Sequence, residues 1–457
     1  MNPRVFREYD VRGVADRDLS DELARDLGRA IGTLIVRANA GKQPTFALGR
    51  DCRVSSPRLH AAMCEGLVET GMVVKDVGLV ATPVLYFSVF HLEADGGVQI
   101  TGSHNPPADN GFKILRGKTT IHGDEVQALR RLIEARDFVR AAGGRLETVD
   151  VHAAYQQVIV DNVRPHLGPR RFPIAVDAGN GMGGIDAVPI LRALGFEVSA
   201  LYCELDGRFP NHHPDPTVEE NVDALRAEVT RTRAEVGIAF DGDADRIGVV
   251  DPKGRIVWGD QLMILYARDI LQSTPGATFV GEVKCSKAMY DEIARAGGNT
   301  IMWKVGHSLI KDKLRSSGAA LAGEMSGHVF FAHRYFGFDD AIYAATRLVE
   351  LLTRSEHTFT ELVDALPAVV NTPELRVDCA DDLKFDVVRR LAERLRGRYE
   401  VIDIDGVRVT FPDGWGLVRA SNTQPVLVTR FEASTAARLQ EIRALVEAEL
   451  AAAQQMP

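Results

Sequence analysis

Cysteine is scarce in this chain: there are five in 457 residues, at positions 52, 64, 203, 285 and 379. The number is odd, the spacing is wide and no C-x-x-C pair occurs. That excludes a disulfide framework and a thiolate zinc site, and it predicts reduced, mostly buried thiols. Positive charge is also in deficit. With 54 Lys and Arg against 63 Asp and Glu, the formal charge is −9, the opposite of what a general nucleic-acid binder needs. No stretch approaches the roughly 20 apolar residues of a membrane span, and the segment Met1 to Asp10 has no apolar signal region. A cytoplasmic protein with neither nucleic-acid nor membrane partners is expected. Two further absences concern chemistry. No G-x-S-x-G elbow is present, and Ser308-Leu309-Ile310-Lys311 matches S-x-x-K without its companion motifs, so the common serine acyl-transfer sites are excluded.

What is present is an ordinary globular composition, 45% hydrophobic and 26% charged, over a length that implies several domains. One pattern occurs three times: apolar strand, polar loop, amphipathic helix, glycine, strand. The first copy runs from Phe46–Asp51 through a helix opening at Ser56-Pro57 and closing at Gly71, then Met72–Val77; Ser before Pro is a good helix start. The second joins Ile174–Asp177, a helix from about Ile185 to Leu194, and Phe196–Leu201. The third joins Thr278–Val283, a helix from about Ser286 to Ala296, and Thr300–Val305. Such alternation predicts three related α/β domains with mixed or parallel sheets. From Val369 onward, short alternating runs (Tyr399–Ile402, Gly406–Phe411) and a closing helix over Ala433–Ala452 predict a smaller α+β domain. The expected domains are 1–149, 150–255, 256–367 and 368–457. No low-complexity linker separates them, which favours domains packed around a shared cleft.

Four segments carry candidate chemistry. Asp241-Gly242-Asp243-Ala244-Asp245-Arg246 follows the apolar run Val236–Phe240, at a strand end of the kind that holds ligands in α/β sheets. Three carboxylates so close repel one another unless a cation neutralises them, and oxygen ligands favour Mg²⁺ or a similar hard ion. A calcium loop of EF-hand type fails, because Arg246 stands where that loop needs glycine and Pro252 where it needs glutamate. The competing reading is a solvated acidic turn. Thr101-Gly102-Ser103-His104-Asn105-Pro106 places a hydroxyl beside an imidazole after Gly97–Ile100; Gly102 is expected to permit a tight backbone that exposes the serine oxygen. Alone it reads equally as loop chemistry, and its force comes from the metal motif, since phosphoryl transfer needs cationic charge around an activated nucleophile. Gly323-Glu324-Met325-Ser326-Gly327-His328 gathers groups suited to gripping sugar hydroxyls and moving protons, or a polar turn. Arg419-Ala420-Ser421-Asn422-Thr423-Gln424-Pro425 suits a phosphate that is held but not transferred, or an Asx-type turn.

These four motifs, in this order and with Phe6-Arg7-Glu8-Tyr9-Asp10-Val11-Arg12-Gly13 ahead of them, resemble the α-D-phosphohexomutase family, within it the bacterial phosphomannomutase/phosphoglucomutase group. The resemblance spans nearly the whole chain. It implies a heart-shaped enzyme of four domains, three of them α/β and alike, the fourth closing over a cleft. It implies that Ser103 is carried as a phosphoserine, that Asp241, Asp243 and Asp245 bind Mg²⁺ together with an oxygen on Ser103, and that phosphate passes between serine and sugar through a hexose 1,6-bisphosphate. The reaction implied is reversible interconversion of hexose 1-phosphate and hexose 6-phosphate. By the same resemblance Glu324 and Ser326 hold sugar hydroxyls, while Arg419, Ser421, Asn422 and Thr423 hold the second phosphate. Tyr9, Arg12, His104, Lys113, Arg246, Lys284, His307 and His328 are the remaining contacts. His328 is the candidate for proton transfer, and Lys113 and Arg246 for charge stabilisation. Gly-Glu-Met-Ser-Gly-His is typical of the mannose/glucose group, whereas glucosamine-phosphate enzymes usually resemble G-E-Q-S-G-H. Phosphoglucosamine mutase, a Mg²⁺-dependent sugar-phosphate phosphatase and a non-catalytic sensor are the alternatives. A monomer is expected, with a dimer as the other oligomeric state. Ala244 and Gln424 depart from the family pattern, where glycine and a small residue are common.

Overall fold

A computed structural model describes residues 2–39, 41–421 and 425–455. The chain divides into two compact units, Met1–Gly259 with Ser326–Asp364, and Asp260–Met325 with Ala365–Pro457. In the first unit, Thr45–Arg50 pairs in parallel with Val73–Leu79 on one side and Gly96–Ile100 on the other. Phe46, Leu48, Val74, Val98 and Ile100 are buried, as expected of strands covered on both faces. Asp109–Arg116 returns antiparallel to Gly96–Ile100, setting Gln99 opposite Lys113, and Val11–Val14 runs antiparallel beside it. The helix Ser56–Glu69 opens at the Ser-Pro pair as expected. Asp21–Ala38, which packs on it, is capped by Ser20 Oγ accepting from the Leu23 N–H at 3.1 Å.

A second sheet in the same unit has the same arrangement. Ile174–Asp177 lies in parallel between Val198–Leu201 and Val236–Phe240, and Ile247–Val250 returns antiparallel to the latter. The second unit repeats the parallel core once more, with Thr278–Glu282 between Asn299–Trp303 and Leu321–Gly323. So the threefold pattern of the sequence is a threefold topology: the first strand is central, the second and third flank it, and a polar turn follows the third. Those turns are Thr101–Asn105, Asp241–Arg246 and Glu324–His328.

The tail forms an antiparallel sheet in which Gly414–Ala420 lies between Val407–Phe411 and Val426–Ala433. Lys384–Leu395 and Ala436–Gln454 supply the helical residues of its core. Here the expected start of the last helix is corrected. Ala433 ends a strand, and the helix begins at Ala436 because Thr435 Oγ1 accepts from the Arg438 N–H at 3.2 Å, a cap that Ala433 has no side chain to make. All five cysteines are free, but only Cys285 is buried; the other four are half-buried, contrary to the expectation of mostly buried thiols. Among the described residues, no helix is long and apolar enough to cross a membrane.

Candidate active site

The serine turn differs from its expected form in an instructive way. Ser103 itself, not Gly102, takes the left-handed backbone, with φ +50°, and its side chain is buried. Gly102 is required for another reason: a Cβ there would lie 2.5 Å from Cζ of Arg53. Ser103 Oγ donates to Asp241 Oδ2 at 2.7 Å and lies 3.2 Å from His104 Nδ1. Burial, with Arg246 and Arg12 nearby, pushes the His104 imidazole well below its usual pKa. It therefore stays neutral near pH 7 and can accept a proton from the hydroxyl.

The aspartate turn closes on itself. Asp241 Oδ1 accepts from the backbone N–H groups of Asp245 and Arg246, both at 3.1 Å, and Ala244 completes the bend at φ +60°. Asp241, Asp243 and Asp245 are fully buried, with ligand oxygens within 4.8 Å of one another. Lys113, reaching across from the return strand of the first sheet, donates to Asp243 Oδ2 at 2.7 Å and to Asp245 Oδ2. Burial opposes the Lys113 charge, yet Asp243, Asp245 and Asp241 outweigh it and hold the ammonium protonated. One ammonium does not balance three carboxylates. Asp241 is consequently pushed well above the usual carboxylate range, by burial first and then by Asp243 and Asp245. Among the described residues Asp243 Oδ1 has no hydrogen-bond partner. A buried, oxygen-only set that is short of positive charge and has an unused acceptor can bind a hard divalent cation.

Around this pair, Arg246 Nε donates to His328 Nε2 at 3.3 Å, and the same imidazole nitrogen lies 3.2 Å from Asp245 Oδ1. Ser326 Oγ is 3.5 Å from His328 Nδ1. Arg12 pairs with Asp10 at 2.7 Å and donates to Asn105 Oδ1 at 3.2 Å, which ties it to the serine turn. Tyr9 is half-buried in the approach to the strand that carries Arg12. Thr82, not anticipated from sequence, donates its hydroxyl to Asp243 Oδ2 at 2.5 Å and its N–H to Asp243 O at 2.9 Å.

In the second unit, Glu324 Oε1 accepts from the Gly306 N–H at 2.7 Å, immediately before the helix His307–Ser317. Lys284 pairs with Glu374 at 2.6 Å; burial works against its charge, but Glu374 and Glu282 outweigh it. Glu282, missed in the sequence, joins these pieces: its carboxylate accepts from the N–H groups of Lys284 (2.5 Å) and Met325 (3.2 Å). Arg419 pairs with Asp405 at 3.1 Å, and Asp405 accepts from the Val305 N–H at 2.9 Å, so Arg419 is linked to the approach to His307. Ser421 is buried at the end of its strand, while Asn422 and Thr423 lie outside the described residues. Arg408, also missed, donates to the carbonyls of Val283 (2.5 Å) and Cys285 (2.8 Å) and stacks on Trp415 at 3.9 Å. Its only sequence signal is an arginine on an otherwise apolar strand.

Comparison with known proteins places this geometry. Models of phosphoglucomutase/phosphomannomutase α/β/α domains I, II and III match residues 3–140, 153–254 and 258–370, and the model of the C-terminal domain matches 374–449. The chain is 45% identical over 449 residues to a phosphomannomutase/phosphoglucomutase of Pseudomonas aeruginosa, covering 98% of this chain and 96% of that one. It is 44% identical over 443 residues to a phosphoglucomutase of Neisseria gonorrhoeae, covering 96% and 95%. A crystal structure of a phosphoglucomutase/phosphomannomutase family protein from Burkholderia thailandensis superposes with TM-score 0.92 at 41% identity, over 99% of this chain and 98% of that one. Fold and relatives together define a four-domain enzyme, an isomerase that moves a phosphoryl group within its substrate. The chain belongs to the phosphoglucomutase/phosphomannomutase family.

Proposed function

We propose that the protein interconverts hexose 1-phosphate and hexose 6-phosphate, with mannose and glucose both accepted, through a phosphoserine at Ser103. The observation that carries this reading is the 2.7 Å contact between Ser103 Oγ and Asp241 inside a buried carboxylate set. A hydroxyl that merely stabilised a turn would have no reason to face three buried aspartates that are short of a cation. Asp241, Asp243 and Asp245, with an oxygen on Ser103, would hold Mg²⁺, which when bound supplies positive charge next to the transferring phosphoryl oxygens.

The residues of the chain do the rest. The free hydroxyl of the sugar attacks phosphorus, the bond from phosphorus to Ser103 Oγ breaks, and the hydroxyl proton passes to an imidazole, with His328 as the acceptor. Arg246 and Asp245 orient that ring. In the second half, the other phosphate of the hexose 1,6-bisphosphate returns to Oγ and a proton returns to the sugar oxygen left behind. Lys113 and Arg246 are fixed cations for the charge that develops, and His104 receives or returns the Ser103 proton when the enzyme is first phosphorylated. Glu324 and Ser326 hold sugar hydroxyls. Arg419, Ser421, Asn422 and Thr423 hold the phosphate at rest, and Tyr9, Arg12, Lys284 and His307 complete the contacts. Met325 in the sugar loop supports mannose and glucose over glucosamine. The protein is read as a cytoplasmic monomer of four domains divided near residues 149, 255 and 367, acting on small phosphosugars without nucleic-acid or membrane partners.

The test is ³¹P NMR with Mg²⁺, mannose 1-phosphate and a trace of hexose 1,6-bisphosphate. Growth of a 6-phosphate signal without inorganic phosphate is expected. Stoichiometric inorganic phosphate would make the protein a phosphatase, and turnover of glucosamine phosphate alone would move it to the amino-sugar group.

A further inference from the structure

The serine turn is held by a buried arginine that grips the backbone of the turn, Ser103 included. Arg53 lies on the turn after Thr45–Arg50, the strand beside the one, Gly96–Ile100, that leads into the Ser103 turn, and its side chain is wholly buried. Its Nη2 donates to the carbonyls of Ser103 and Asn105, both at 2.7 Å, and its Nη1 to those of Pro106 (2.6 Å) and Asp109 (3.0 Å). The remaining donor, Nε, lies 3.2 Å from Asp51 Oδ2. That carboxylate reaches the same turn from the other side, accepting from the Gly102 N–H at 3.3 Å, and is itself fixed by the Ser56 hydroxyl at 2.5 Å and the Arg53 N–H at 3.0 Å. The ring of Phe209 covers the guanidinium at 5.1 Å.

We propose that Arg53, braced by Asp51, is the positioning residue that keeps Ser103 in its left-handed conformation and so aims Oγ at the aspartate set. A guanidinium has five N–H donors in a rigid plane, and here both Nη groups are spent on the backbone of one short loop. A residue held at φ +50° persists only where its surroundings over-determine it; four carbonyls captured by one buried cation do that. Lysine cannot substitute, because it has three donors and no plane. Glycine at 102 follows from the same clamp, since the guanidinium occupies the space a Cβ would take. The sequence motif around Ser103 thus depends on an arginine 50 positions away.

This inference rests on the phosphoserine reading, and the test separates the two. Wild type, Arg53→Lys, Arg53→Ala and Gly102→Ala are compared in kcat and KM for mannose 1-phosphate, with the phosphate on Ser103 measured by intact mass and folding checked by circular dichroism. A misaimed nucleophile should lower kcat by about 10²-fold while KM changes less than about twofold. Gly102→Ala should show the same split although it retains the arginine. Added guanidinium, but not sodium chloride at equal ionic strength, should restore part of the kcat of Arg53→Ala. Arg53→Lys or Gly102→Ala that folds and keeps wild-type kcat would overturn the proposal, as would a loss expressed mainly in KM. Wild type that forms no 6-phosphate and never carries phosphate on Ser103 would overturn the phosphoserine reading, and this inference with it.

Discussion

The serine turn and the aspartate turn follow the third strand of two sheets with the same strand order, and each bends through a non-glycine residue at positive φ, Ser103 at +50° and Ala244 at +60°. They are held differently at the bend. In the aspartate turn a carboxylate of the turn itself, Asp241, accepts the N–H groups four and five residues ahead, with Thr82 and Lys113 adding contacts to Asp243 from other segments. In the serine turn Thr101 Oγ1 accepts from the Ser103 N–H at 2.8 Å, but the carbonyls are captured from a neighbouring loop by Arg53, beside Asp51. The difference matches the role proposed for each. A metal set must keep its carboxylates in fixed relation to one another, which local hydrogen bonds accomplish. A phosphate carrier must keep one oxygen aimed at groups on a different sheet, which needs a reference outside its own loop.

The largest break in that comparison is removal of the oxygen. Ser103→Ala should lower turnover by roughly 10⁴-fold or more, while hexose phosphate still binds by calorimetry, because the Ser103 hydroxyl is the one that, among the described residues, faces both Asp241 and His104. Wild-type turnover in this variant would remove the serine from the reaction. Next is Asp243→Asn. This aspartate has an unused buried acceptor atom and the Lys113 ammonium beside it. The variant should lose about 10²-fold in turnover and need more Mg²⁺ for half-maximal activity; an unchanged Mg²⁺ titration would place the ion elsewhere.

How much of this was legible beforehand follows the same division. The aspartate turn is legible because its carboxylates and the Asp241 brace lie within six residues, and the threefold repeat is legible because strand and helix periods are local. The Ser103 motif stands out in the sequence, but the sequence gives the wrong reason for Gly102, since the Arg53 that explains it is 49 positions away. Thr82 and Lys113 reach Asp243 from 161 and 130 positions away. Glu282 in the second unit acts across 43 positions, and Arg408 across 125. Buried charges that hold backbone groups far along the chain have no local pattern, and their roles emerge only when the fold brings the partners together.

A smaller effect concerns pH. Asp241 titrates above an unperturbed aspartate in the folded chain, because of burial and of Asp243 and Asp245. Between the unfolded value, about 3.9, and the raised folded value, the folded state holds a proton that the unfolded state has released. Metal-free stability therefore falls as pH rises through that window. Since a divalent cation competes with that proton, Mg²⁺ should raise Tm more at pH 8 than at pH 5, measured by scanning fluorimetry. An equal rise at both would mean that the carboxylates are not the site of binding.

The smallest effect should come from Ala244→Gly. A left-handed alanine costs about 1–2 kcal/mol of strain, which the change relieves. Against that, glycine adds roughly 0.4–1 kcal/mol of unfolded-state entropy and gives up a buried methyl worth about 0.8 kcal/mol; Ala244 is fully buried. The sum lies near zero, so unfolding in denaturant should shift by less than about 1 kcal/mol. The Mg²⁺ titration should not move, because the Asp241 carboxylate rather than the residue at 244 closes the turn. A clear gain in Mg²⁺ affinity would show instead that the strained alanine is distorting the ligand set, and the Asp241 brace would then not be what fixes the carboxylates.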